Sequence, residues 1–165
     1  MTRSVHAVDQ ENVSAALTFA APAEKVFAVL ADPTTHSEID GTGWVRDAVD
    51  QVALTEAGQI FRMDMYHPNH PDGHYRMANK VQVFDPPRAI GWLPGQEKDG
   101  EDLQFGGWLW RYDLTPLGPS ETAVTLTYDW SAVPSFLREH IRFPPFEVDH
   151  LTNSLHHLAG LTAGR

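Results

Sequence analysis

Cysteine does not occur anywhere in the 165 residues, so disulfides, thiolate nucleophiles and thiolate metal sites are all excluded. No apolar run approaches the roughly 20 residues that a membrane-spanning helix requires, so no integral membrane association is expected. Basic residues are scarce: twelve Lys and Arg against twenty-two Asp and Glu leave a net charge of −10. Such a balance disfavours nucleic acid and anionic membrane surfaces, both of which attract basic patches. Met1–Asn12 has neither the basic opening nor the apolar stretch of a signal peptide, and a cytoplasmic location is expected. Glycine-rich phosphate loop, nucleophile elbow and zincin helix are missing too.

What is present fits one globular domain over residues 1–165, with its core over about 12–161. The clearest helical signal is Pro145–Leu161, where Val148, Leu151, Leu155 and Leu158 recur at spacings of three and four. Pro145 suits a first turn, and Gly160 and Gly164 mark the exit. Near the other end, Val13–Phe19 alternates as a strand. Pro22 then opens a helix to about Ala31, and a shorter one follows over Thr34–Ile39, stopped at Gly41-Thr-Gly43.

Between these helices and the last the period becomes two. Strands are predicted over Val45–Leu54, Gln59–Tyr66, Tyr75–Phe84 and Ala89–Leu93, then around Trp108–Leu114 and Val124–Trp130. Pro94–Gly107 reads as a long charged loop, Pro134–Phe143 as a short helix, and Pro144-Pro145 as a break. The order points to an α+β fold: a curved antiparallel sheet of about seven strands around one long C-terminal helix.

One strand face is unusually bulky. It carries Phe61, Met63, Met65, Tyr75, Met77, Trp92, Trp108, Trp110, Tyr112, Tyr128 and Trp130. Such side chains either fill a core or line a pocket for a flat or greasy ligand. Asn79 falls on the same face with Val81 and Val83, and a buried amide needs partners or a wet cavity. His36 and Asp40, four apart, would share one side of a helical turn, the arrangement of an acid–base pair. Alternatively Asp40 only closes the helix end. His67, His70, Asp72 and His74 invite a metal reading, but two prolines and a glycine among them favour a hairpin turn. His140, His150, His156 and His157 form no tight ligand motif, and no metal or cofactor is expected.

Several segments resemble a known superfamily. Phe19-Ala-Ala-Pro-Ala-Glu-Lys-Val26-Phe27 with Leu30-Ala-Asp-Pro33 is similar to the opening of helix-grip proteins. These are the START lipid-transfer domains, the birch pollen allergen and the polyketide cyclase/dehydrase-like proteins, together SRPBCC. His36-Ser-Glu-Ile-Asp40-Gly41-Thr-Gly43 resembles a segment of one largely actinobacterial subgroup. Asn79 to Trp92, Trp110-Arg-Tyr-Asp-Leu114 and Tyr128-Asp-Trp130 continue the likeness. The resemblance implies a hydrophobic cavity between sheet and last helix, with His36, Asp40 and Asn79 as polar groups in it. Aromatase/cyclase members commonly place an arginine inside. Arg62, Arg76 and Arg111 here have outward parity, which a one-residue bulge would reverse.

The leading expectation is a protein that binds a hydrophobic small molecule, aromatic, polyketide-like or lipid-like. Its expected contacts are Trp44, Met63, Met65, Tyr75, Met77, Asn79, Trp92, Trp108, Trp110, Tyr112, Tyr128, Trp130, Leu151 and Leu155. One alternative is a cyclase or dehydratase using His36 and Asp40, with Asn79 or Tyr128 orienting a carbonyl. Another is a protein-interaction module like the chaperone-activating members, with a filled core. A homodimer stays open.

Overall fold

The computed structural model describes residues 11–40, 43–49, 51–68, 73–96, 103–147 and 149–163. Gly41, His70, Asp72, the charged stretch 97–102, Val148 and Gly164 lie outside the described residues. Strand β1 (Asn12–Phe19) leads into helix α1 (Ala23–Leu30), a 3-10 turn at Pro33–Thr35 and helix α2 (His36–Asp40). Then come β2 (Val45–Ala48), β3 (Ile60–Tyr66), β4 (His74–Asp85), β5 (Ala89–Gln96) and β6 (Gln104–Phe105). Strands β7 (Leu109–Gly118) and β8 (Glu121–Asp129) precede helices α3 (Ser135–Arg138) and α4 (His150–Ala163).

The eight strands make one antiparallel sheet in the order β1-β8-β7-β5-β4-β3-β2, with β6 paired to β5. Register lines up the bulky parities across neighbours: Met63 opposite Met77, Met65 opposite Tyr75, Trp92 opposite Trp110, Trp110 opposite Tyr128. Each large side chain therefore meets another on the same concave face.

The two early helices form for local reasons. Proline 22 stands at the N-cap of α1, which buries Ala23, Val26, Phe27, Val29 and Leu30. Asp32 ends that helix and caps the next turn, accepting from the Thr34 backbone N–H at 3.0 Å and its hydroxyl at 2.7 Å. Thr35 donates its hydroxyl to the Val29 carbonyl at 2.8 Å, tying the start of α2 to α1.

Helix α4 buries Leu151, Ser154, Leu155, Leu158 and Thr162, and packs on β1, β8, α1 and α2. It begins at His150, not Pro145. Phe146 is drawn instead against Trp110 and Tyr128, at ring separations of 5.5 and 5.0 Å, and burial of that ring outweighs another helical turn. Nor does Gly160 end it; the helix continues because Thr162, 1% exposed, still packs inward.

Other elements differ from expectation as well. Strand β2 stops at Ala48 rather than Leu54, β5 runs on to Gln96, and α3 covers only Ser135–Arg138. A register shift between Val81 and Val83 in β4 moves Val83 off the core face and brings Phe84 inward, 5.3 Å edge-on to Phe27. Gly107 has φ +100°, and a Cβ there would meet the Ala132 carbonyl oxygen at 2.6 Å. That glycine therefore fixes the approach to Trp108.

Leu155 is fully buried in the stripe that docks α4. Leu155→Ala is expected to cost about 2–5 kcal/mol, read as a shift in the urea midpoint with unchanged slope. A loss under about 1 kcal/mol would mean that α4 is not held by this stripe.

Candidate functional site

Between the concave face and the cover formed by α2, α4 and the segment from Ile141 to Phe146 lies a cavity of about 490 Å³. Strand β3 contributes Met63 and Met65, β4 Tyr75, Met77 and Asn79, β5 Trp92 and Pro94. Trp108 stands just before β7, which adds Trp110 and Tyr112, and β8 adds Leu126 and Tyr128. From the other side come His36, Ile39 and Asp40 of α2, Trp44 and Val45, and His150 and Ser154 of α4. His67 joins beside Trp44, their rings 4.7 Å apart. A filled core, which the interaction-module alternative requires, is not what these residues build.

Three of the expected contacts are elsewhere. Leu151 and Leu155 point into the core cluster, since docking of α4 turns its flank residues His150 and Ser154, four apart, toward the cavity. Trp130 lies one position past β8 and packs with Phe143 and Val133 in a second apolar cluster. Arg62, Arg76 and Arg111 do not line the cavity. Arg76 instead pairs with Asp64 at 3.0 Å and Arg111 with Asp113 at 3.1 Å.

Nor is the expected His36–Asp40 pair formed, although both residues line the cavity. His36 is 8% exposed, stacks on Trp92 at 4.9 Å, and donates its Nε2–H to the Leu30 carbonyl at 2.9 Å. Because a carbonyl can only accept, the proton sits on Nε2 and Nδ1 is the basic nitrogen. Asp40 faces His150 instead, Oδ1 to Nε2 3.8 Å, with the two side chains 12% and 11% exposed. The reason is direction: in a helix of five residues, the ring of the first turns back toward α1 while the carboxylate of the last faces α4.

The polar groups feel this enclosure. Burial pushes the His36 pKa down from the ordinary 6.5, outweighing the Leu30 carbonyl and the Asp32 charge. Burial also lowers His150, against the upward pull of the Asp40 and Asp149 carboxylates. Tyr75 and Tyr112 are raised by burial and then by Asp40, so the field of this carboxylate reaches across to β4 and β7. Tyr128 is raised by burial alone. Sequence reasoning missed His150, Ser154, Phe143, Phe146 and Ile141. The one available signal was the concentration of aromatics around Pro144-Pro145. Among the described residues no group of three or more His, Asp or Glu side chains could hold a metal.

Sheet order, short helices after the first strand and a C-terminal helix facing the concave side together decide the architecture. The protein has the helix-grip fold. Three solved helix-grip proteins show the likeness. Protein Ms6760 of Mycobacterium smegmatis superposes with a TM-score of 0.65 at 16% identity, over 94% of this chain and 93% of that one. The Zhui aromatase/cyclase of a Streptomyces species gives 0.62 at 16% identity, over 93% and 94%. Norcoclaurine synthase of Thalictrum gives 0.63 at 14%, over 93% and 94%. An uncharacterized protein of Mycobacterium tuberculosis is 33% identical over 132 residues, 80% of this chain and 53% of that protein. This helix-grip chain thus spans about half the length of that relative. No family model matches the sequence. Among the described residues no helix is long and apolar enough to cross a membrane.

Depressed imidazole pKa values have a consequence for stability. The unfolded chain takes up these protons near pH 6.5 while the fold resists them, so the contribution is full above that pH and is lost as pH falls below it. The urea midpoint should therefore drop between pH 7.5 and 5.5, and drop less in His36→Gln, which keeps a donor for Leu30. Equal drops in both proteins would place the titration elsewhere.

Proposed function

We propose that this protein binds a hydrophobic small molecule, aromatic or polyketide-like, in the cavity between the sheet and α4. The observation that carries this is a half-open cavity of about 490 Å³, within the range of small-molecule sites, walled by aromatics and methionines. Methionine at 63, 65 and 77 gives the β3–β4 wall an adaptable surface, and tryptophan faces the opposite side from β5 and β7. Tyrosine hydroxyls, Asn79 and Ser154 add the few polar groups that orient a ligand. The fold is shared with an aromatase/cyclase and with a norcoclaurine synthase.

A second reading, acid–base catalysis on the bound molecule, is supported by the contact between Asp40 and His150. Neutral His150 accepts a proton at a ring nitrogen, and the neighbouring carboxylate stabilises the imidazolium that results. His36 Nδ1 is a second base on the same wall.

Neutral N-phenyl-1-naphthylamine is expected to bind at one molecule per chain and to change the tryptophan fluorescence. Ser154→Phe, which puts a ring into the cavity, should weaken it at least about tenfold while the far-ultraviolet spectrum is kept. Undiminished binding by that variant would move the site elsewhere. Any compound that co-purifies from the native host separates the two readings: incubation with protein leaves it unchanged for a carrier and converts it for an enzyme.

A further inference from the structure

We propose that the ligand of this cavity carries a ketone-type carbonyl on its hydrophobic skeleton, and that the side-chain amide of Asn79 donates a hydrogen bond to that oxygen. The inference rests on the ligand-binding reading above and adds the functional group that the ligand brings.

Among the described residues the buried polar side chains are Thr35, His36, Asn79, Thr122, Ser154 and Thr162. Most of them are satisfied within the protein. Thr35 donates to the Val29 carbonyl and His36 to that of Leu30, while Thr122 reaches the Ala21 carbonyl at 2.8 Å and Thr162 that of Ala159 at 2.9 Å. The side chains of Asn79 and Ser154 have no hydrogen-bond partner among the described residues, and both residues line the cavity. Within this set, the unpaired groups coincide with the cavity.

Ser154 has a remedy of its own, since a helical serine can turn its hydroxyl onto the carbonyl one turn back. Asn79 has none. It is 6% exposed within β4, with Phe61 opposite on β3 and Pro94 opposite on β5. Met77 and Val81 flank it on the same face. All four neighbours are apolar, so the polar contact that this amide lacks has to come from the cavity side. Buried N–H groups are left orphaned more rarely than carbonyl oxygens, and the amide carries two N–H donors. The complementary ligand atom is therefore an acceptor oxygen. A hydrocarbon in the same place would strip water from the amide and leave its donors unpaired, whereas a carbonyl replaces the bond it displaces.

The test compares 2-acetylnaphthalene, 1-(2-naphthyl)ethanol and 2-ethylnaphthalene, one skeleton bearing a carbonyl, a hydroxyl or neither, by displacement of N-phenyl-1-naphthylamine from the whole chain. The ketone should bind more tightly than the hydrocarbon, although the hydrocarbon is the more hydrophobic of the two. In Asn79→Leu, which keeps the bulk and removes the donors, the ratio of ketone to hydrocarbon affinity should fall at least about tenfold. A ratio that survives this substitution would overturn the role of Asn79. An alcohol preference lost in Asn79→Leu while the ketone ratio stays would overturn the carbonyl assignment, because the amide would then be accepting. Should the hydrocarbon match or exceed the ketone on the unaltered protein, the carbonyl assignment fails and the cavity reading stands. If N-phenyl-1-naphthylamine does not bind, and calorimetry shows none of the three binding either, both readings fall together. Should Asn79→Leu not fold, Asn79→Val, whose side chain suits a strand, takes its place, and the ranking on the unaltered protein still decides the carbonyl.

Discussion

Everything in this molecule depends on where α4 sits on the sheet. Its leucine stripe docks over β1 and β8 and against α1 and α2, so the helix closes one side of the concave face. Over β3, β4 and β5 the cover is different: α2, Trp44 and the irregular segment that follows α3. Side chains from such a cover cannot interdigitate with the sheet as a helix ridge does, and the space between stays open. The cavity is thus the geometric remainder of a helix that covers part of a wide sheet.

That remainder is lined by groups with a packing deficit. Trp92, Trp108, Trp110, Tyr75 and Met65 are only half-buried, although each points to the concave face. Every 100 Å² of apolar surface left wet forgoes roughly 2.5 kcal/mol of transfer free energy. A core selected for stability alone would close over these rings. The same holds for Asp40, a carboxylate in an enclosure where ions lose hydration. Apolar deficit and a largely buried carboxylate occur in one place, and together they support the reading of this cavity as a site.

Much of this was legible in the sequence because the strand period is local. Met63 with Met65, and Tyr75 with Met77 and Asn79, needed only alternation to be assigned to one face, and antiparallel register then placed them opposite one another. The outward parity of the three arginines was legible in the same way. The bulge after Val81 was not, since an extra residue is decided by pairing with β5 and leaves no mark in β4 itself. Helix α4 shows the same limit. Its stripe marked the core side correctly, but whether a stripe or its flank meets a cavity is set by docking, so Leu151 and Leu155 were expected where His150 and Ser154 stand. His36 and Asp40 had the right spacing and the right neighbourhood. Their partners, Leu30 and His150, come from α1 and α4, and no spacing within α2 encodes them.

Enclosure and electrostatics then reinforce each other. His157 donates its Nδ1–H to the Ile39 carbonyl at 3.0 Å, clamping the end of α2 onto α4 just where Asp40 meets His150. The clamp holds the carboxylate at the cavity wall beside the largely buried His150, where charge effects are less screened than at the surface. A molecule entering this space would bury the half-wet rings and come within the field of Asp40 in the same event. Affinity would then couple directly to the stability of the α2–α4 contact, because a ligand that binds only the folded state stabilises it by mass action. The docking of α4 thus sets both the fold and the cavity that the proposed function would use.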